Sequence, residues 1–525
     1  MNMKLLWHYV EKWATEQPDA EALVYDDRRI TWREFNDLVN QAAKAFLSYG
    51  IERGDRIGMV AMGCPEFMIS FMAASKIGAI WLGLSPKFTP DELRYILGHS
   101  EPTLLLTLRS YLDVDLVEAG LTFKKEYPTL EEVLVIGEPH EMLPDFNEVI
   151  SRDWSHLDAA LEERVAQVDP EDEVLLMYTS GSTGRPKGVL QTQRAIVENI
   201  EVEAKYFYLH NKSRVLLHFP INHVAADVEI GFGAIFGGGC IVFRDRFDPV
   251  DSLETIEKEK ITMLGQVPVM YLMQMQTPQF KTTDWSSLEL IAWGGANASP
   301  ILLNALKAIA DASGAKLMTG YGSTEMCGFC TYSMADDSME LLATAAGKVV
   351  PPFEMKIVDA NREEVPYGTI GEIAMKGPST LKGYLNNPTA TREVLQDGWY
   401  YTSDLGSMNE EGYLFISGRA SEMFKTGGEN VFPREIEEKL EQHPAVLFAA
   451  VMGIPDDLYQ EVGQAFIMLT PGQTTTAEEL RTHCKDRLAN FKVPKVYDIR
   501  PLLPLLPNGK VNKMALKKEL GLVKS

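Results

Sequence analysis

Apolar residues along this 525-residue chain change period several times, and each change marks an element. Thr31 and Glu34 have the spacing of a helix capping box. Phe35, Leu38, Val39, Ala42 and Phe46 then recur at helical intervals until Gly50 stops the pattern. Residues 55–62 read as a strand, 66–76 as a helix and 79–84 as a strand again. The alternation resumes at 103–107, at 133–136 and through 174–300. Short apolar runs alternating with amphipathic helices predict an α/β protein built on doubly wound parallel sheets.

The texture changes from about 345 to 417, where short turn-bounded segments such as Met355-Lys-Ile-Val-Asp and Gly412-Tyr-Leu-Phe-Ile-Ser predict a small β-barrel-like body. After Gly418 an α+β unit follows, with a helix at 434–442, strands near 447–452 and 463–469, and a helix at 477–490. There is no internal repeat and no low-complexity tract.

Composition narrows the class. Apolar content of 45% and charged content of 24% are ordinary for a globular protein. A formal net charge of −24 argues against a nucleic-acid partner, because such binding rests on neutralising phosphates. No apolar run is long enough to span a membrane. The first residues lack the apolar core of a leader, and the last four, Leu-Val-Lys-Ser, are no peroxisomal address. With five cysteines in so long a chain, a cytoplasmic location is expected. Cys327 and Cys330 have redox-motif spacing, but small pocket-wall residues are the expected reading.

Candidate chemistry concentrates first at Tyr178-Thr-Ser-Gly-Ser-Thr-Gly-Arg-Pro-Lys-Gly188, directly after the apolar run Val174-Leu-Leu-Met177. A strand that empties into such a loop offers backbone N–H groups and hydroxyls with little bulk in the way, as a polyphosphate requires. It is no Walker loop, since Lys187 lies between Pro186 and Gly188 and has no Ser/Thr beside it for Mg²⁺. Further segments are Trp293-Gly-Gly-Ala-Asn-Ala-Ser299, Tyr321-Gly-Ser-Thr-Glu325, Tyr401-Thr-Ser-Asp404, Gly418-Arg419 and Pro504-Leu-Leu-Pro-Asn-Gly-Lys510.

Together these blocks, in this order, resemble the adenylate-forming superfamily of acyl-CoA synthetases, luciferases and peptide-synthetase adenylation domains. The resemblance covers roughly residues 20–517. It implies a large N-terminal AMP-binding domain, 1–420, with two doubly wound sheets and the β-barrel-like subdomain, and a smaller mobile α+β domain, 421–525. It implies ATP and Mg²⁺ as cofactors and coenzyme A as co-substrate.

By that resemblance Thr179, Ser180, Gly181, Ser182, Thr183, Gly184 and Lys187 cradle the β/γ-phosphates. Gly295, Ala296 and Asn297 lie along adenine, and Tyr321 stacks on it, followed by Gly322 and Ser323. Thr324 bonds the α-phosphate and Glu325 holds Mg²⁺. Asp404 and Arg419 take the ribose hydroxyls. Lys510 is the adenylation lysine, and Lys425, Gly427 and Gly428 serve the CoA step. The hinge position is Ser421, where the family usually has Asp or Lys; a neutral hydroxyl cannot switch charged partners between states.

Phe219-Pro-Ile-Asn-His223 is similar to the block whose last residue gates the acyl pocket. Val224 stands where amino-acid-activating relatives carry Asp, and no carrier domain is seen downstream, so CoA is the expected acceptor. The pocket is expected to draw on 223–233, 266–273, 294–298 and 320–329, with Met270, Met273, Met326 and Phe329 as adaptable apolar lining. Asp227 and Glu229 are expected to face away from it, because an unpaired buried carboxylate is costly. The expected partners are a small-molecule carboxylic acid (fatty, alicyclic or aromatic), ATP and CoA, in a monomer or homodimer. A luciferase-like oxygenase, a carrier-protein loader and a non-catalytic binding member are the alternatives.

Overall fold

The computed structural model describes residues 4–179, 185–505 and 511–522. Two seven-stranded sheets form the larger body. In the first, strands Lys316–Thr319, Leu290–Trp293, Met263–Gln266, Arg214–Leu217, Cys240–Phe243 and Glu21–Tyr25 run parallel in that order, and Arg28–Thr31 closes the edge antiparallel. In the second, Glu132–Ile136, Leu104–Leu108, Arg56–Val60, Ile80–Leu84 and Glu173–Thr179 are parallel, followed by antiparallel Lys187–Thr192 and Gly383–Tyr384. The expected alternation is therefore present, and most strand ends fall within two residues of the pattern.

Between the sheets lies the Pro65–Lys76 helix, every residue of which is buried. Its sequence is apolar on all faces, the signature of a helix with core on both sides. The two charges inside this layer are paired: Arg28 donates to Glu66 at 2.5 Å and Lys76 to Glu11 at 2.6 Å. The Thr31–Glu34 capping box opens the Trp32–Ser48 helix, and Gly50, at φ +77°, follows its end.

The β-rich segment is a five-stranded antiparallel sheet comprising Glu354–Val358, Gly371–Lys376, Leu395–Gln396, Trp399–Met408 and Leu414–Arg419. A fourth sheet, also five-stranded, holds the C-terminal part together with the Pro433–Glu441 helix. The helix expected over 477–490 spans only Ala477–Lys485. Leu488 and Phe491 leave the helical spacing to pack on the small C-terminal core, and Asn490–Lys492 forms a single tight turn.

Candidate active site

The parallel strands of the first sheet determine where the loops meet. Gln266 pairs with Trp293 and Trp293 with Thr319, so these three strands finish level. Cys240–Phe243 lies on one side of Arg214–Leu217 and Met263–Gln266 on the other, so the winding reverses at the Arg214–Leu217 strand. A crevice opens at the carboxyl ends beside such a reversal. The segments after Leu217, Gln266, Trp293 and Thr319 all leave from this edge. They carry His223, Gly295–Asn297 and the Tyr321–Glu325 motif.

Close backbone packing explains the glycines. A Cβ on Gly320 would sit 2.0 Å from the Thr331 carbonyl oxygen, and one on Gly322 would sit 2.0 Å from that of Gly328. Gly322-Ser323 pairs antiparallel with Gly328-Phe329, and Thr324–Met326 makes the turn between them. Asn297 donates from its amide to Glu438 in the Pro433–Glu441 helix, at 2.8 Å.

One polar node forms around Asp404. The register of the third sheet places Asp404 directly opposite Arg419. Arg419 Nε lies 3.1 Å from Asp404 Oδ1, and the Tyr321 hydroxyl donates to Oδ2 at 2.6 Å. Tyr321 is buried, whereas the Arg419 side chain is 58% exposed.

The second node is centred on Glu325. The Tyr384 hydroxyl donates to Glu325 Oε1 at 3.1 Å, and Lys187 Nζ stands 5.0 Å above the Tyr384 ring. Burial pushes the Glu325 carboxyl up from its usual range. Lys187 opens the strand that pairs with Glu173–Thr179, Lys187 lying opposite Thr179, so the Ser/Thr/Gly segment links two strands of a hairpin. Ser180–Gly184 lie outside the described residues, as does Lys510.

Two residues that sequence reasoning missed hold this motif in place. Gln191 donates to the Thr324 carbonyl at 3.0 Å and to the Glu325 carbonyl at 3.3 Å. Asn199 donates to the Met326 carbonyl at 3.1 Å. Both are fully buried polar side chains, on the Lys187–Thr192 strand and the Gln193–Tyr206 helix, and no local pattern in the sequence sets them apart from their polar neighbours.

On the acyl side the expectations need correction. Asp227 is fully buried rather than kept out of the interior, and the Trp81 indole donates to its Oδ1 at 3.1 Å, which offsets part of the cost that the expectation rested on. Glu229 is only partly accessible and lies beside Glu203 of the Gln193–Tyr206 helix. Met273 is 41% exposed, and Met326 is sealed in the main core, so Met326 lines no open recess. Partial exposure survives at His223, Val267, Gly294 and Phe329. Cys327 and Cys330 are buried free thiols whose ionisation burial pushes upward, so they are packing residues.

Ser421 is exposed in the turn between Leu414–Arg419 of the third sheet and Phe424–Thr426 of the fourth. The ion pair at this turn belongs to its neighbour: Lys513 Nζ reaches Glu422 at 2.6 Å and Glu437 at 2.8 Å. Gly427 and Gly428, at φ +58° and +90°, form the two-residue turn joining Phe424–Thr426 to Glu429–Val431. Both turn positions need positive φ, which glycine adopts without penalty. Lys425 is exposed beside them.

Two crossover sheets, a third sheet carrying the Asp404 node and a fourth reached through one exposed turn define the architecture of adenylate-forming enzymes. The structure of the anthranilate CoA ligase AuaEII, in complex with anthranoyl-AMP, matches with a TM-score of 0.90 and 26% identity over 99% of this chain and 97% of that one. Residues 10–385 match the AMP-binding enzyme family and residues 435–510 the AMP-binding enzyme C-terminal domain. The chain belongs to this family, in the acyl-CoA synthetase branch of the adenylate-forming superfamily. Among its relatives are YngI of Bacillus subtilis (strain 168), named as a candidate acyl-CoA synthetase, 34% identical over 97% of this chain and 96% of that protein. The acyl-CoA ligase sidI of Aspergillus fumigatus is 33% identical over 95% and 88% of the two chains.

Proposed function

We propose that the protein activates a carboxylic acid with a fatty, alicyclic or aromatic skeleton through an acyl-adenylate and transfers the acyl group to coenzyme A. It is an AMP-forming acid–CoA ligase, releasing AMP and pyrophosphate. The observation that carries the proposed site is the pair of polar nodes, Asp404 with Arg419 and Tyr321, and Glu325 with Tyr384 and Lys187, on either side of Thr324.

A carboxylate is a poor acyl donor because oxide is its leaving group. Joining it to AMP supplies a good leaving group, and the protein has to align the carboxylate oxygen with the α-phosphorus and stabilise spreading negative charge. In this reading Tyr321 and Gly295–Asn297 hold adenine, and Asp404 and Arg419 hold the ribose. Thr179–Gly184 and Lys187 take the β/γ-phosphates, Thr324 the α-phosphate. Lys510 bridges the carboxylate and α-phosphate, and His223 gates the acyl pocket. The local cations explain how anionic substrates enter a chain of net charge −24.

Mg²⁺ fits Glu325. Among the described residues no group of three or more His, Cys, Asp or Glu could hold a metal alone. Mg²⁺ usually takes one or two carboxylates plus phosphate oxygens, and the Tyr384 bond leaves the second Glu325 oxygen available. When bound there, the ion would offset charge on the departing pyrophosphate.

The second half-reaction belongs to residues 421–525, turning about Ser421 so that Lys510 withdraws and Lys425, Gly427 and Gly428 approach the thiol arm of CoA. A pyrophosphate-release screen over a panel of carboxylic acids, with ATP and with or without CoA, tests the reading. Acid-dependent AMP formation is expected; no acid giving AMP would overturn it. Lys510→Ala is expected to lower pyrophosphate exchange by about 10²–10³, and near-normal exchange would remove Lys510 from the step.

A further inference from the structure

The acyl side of the site holds charges that the mechanism above does not use. Glu203 is wholly buried, and neither of its carboxylate oxygens has a hydrogen-bond partner among the described residues. Glu229, on the helical segment Ala225–Phe232, projects toward the same place. Their meeting point is Gly328: a Cβ there would lie 3.3 Å from Glu203 Oε2 and 3.3 Å from Glu229 Oε1. No salt bridge among the described residues reaches Glu203, Glu229 or Asp227.

This meeting point is joined to the reaction centre. Gly328 is the register partner of Ser323, inside the Tyr321–Glu325 motif. Asn199, one helical turn before Glu203, bonds the Met326 carbonyl and so fixes Glu203 against that ribbon. Glu229 keeps partial accessibility although its neighbours Val228 and Ile230 are buried. Burial pushes Glu203 above the carboxylate range and Glu229 up to about 7.

An unpartnered buried carboxylate is expensive for a fold to keep without a compensating donor. Among the described residues no hydrogen-bond donor reaches Glu203, and Gly328 belongs to the ribbon that carries the Tyr321–Glu325 motif. Resting on that reading, we propose that Glu203 and Glu229 recognise an amino group on the end of the acid remote from its carboxylate. The preferred substrate is then an amino-substituted fatty or aromatic acid. Gly328 puts no side chain between the two carboxyl groups, and the nitrogen donates to both of them.

Matched acids that differ only at the far end test this. We expect 6-aminohexanoate to bind the full-length protein at least about tenfold more tightly than heptanoate, and 4-aminobenzoate more tightly than 4-methylbenzoate, by calorimetric titration. Glu229→Leu should abolish or invert the preference, and Glu229→Gln should weaken it; melting curves verify that each variant is folded. Equal or methyl-favoured binding by the wild type overturns the inference, as does an unchanged preference in Glu229→Leu. Pyrophosphate exchange with the same acids separates the two readings. Amine-selective binding with no exchange would sink adenylation and keep this pocket, whereas exchange favouring the methyl acids would keep adenylation and sink the pocket.

Discussion

Asp404 shows how one side chain links stability and binding. Its two oxygens accept from different partners, the buried Tyr321 hydroxyl and the exposed Arg419 fork. Removing the carboxylate leaves a buried hydroxyl without an acceptor, at about 1–3 kcal/mol. Removing only the hydroxyl leaves Asp404 paired with Arg419. Asp404→Ala is therefore expected to weaken ATP binding by at least about tenfold and to lower the melting temperature, while Tyr321→Phe, which keeps the ring, has the smaller effect on affinity. Calorimetric titration of both variants checks the order, and the reverse order would assign recognition to the hydroxyl. Gln191 acts differently: it touches only carbonyls of Thr324 and Glu325 and is a positioning residue.

Among the elements, the turn at 420–422 matters most. It joins two sheets that share no strand pairing, and Ser421 at its centre is exposed. Beside the proposed hinge, the ion pair of Glu422 with Lys513 ties the turn to the C-terminal segment. Ser421→Pro, which fixes φ and removes an N–H, is expected to impair thioester formation more than adenylation. Separate assays of pyrophosphate exchange and acyl-CoA formation measure this, and equal losses would count against a hinge at 421. The Gly427-Gly428 turn follows the same logic locally, since the backbone there needs the left-handed region at both positions.

At the scale of the whole molecule, buried titratable groups shape the response to acid. His218 lies in the core between Phe219 and Phe247, and burial holds its pKa near 4, below the usual 6.5. Between pH 6.5 and about 4 the unfolded chain takes up a proton that the folded one refuses, so stability falls as pH drops through this window. Glu203 and Glu229, shifted upward, push the other way. The His218 contribution is isolated by comparison with His218→Phe: the wild type should lose about 2–3 kcal/mol more than the variant between pH 7 and 4.5, measured by urea unfolding. Parallel losses would mean that His218 is not the acid-sensitive group.

Much of this was legible in the linear order of residues. Helix caps, strand periods and the glycine-rich segments act over a few neighbours, so Thr31 with Glu34, the run before Tyr178 and the Gly427-Gly428 turn announced themselves. The motif residues are named through a resemblance to a family whose blocks stand in this order, and their contact with a nucleotide is part of the proposed function. Sheet order and burial could not be obtained that way, because they depend on contacts between segments more than a hundred residues apart. Only the folded chain places Gln191 beneath Thr324, turns Asp227 inward to Trp81 and leaves Met273 outside. It alone brings Glu203 and Glu229 from two helical segments onto one glycine, where low polarity and the lack of a partner turn two ordinary acidic letters into a recognition element.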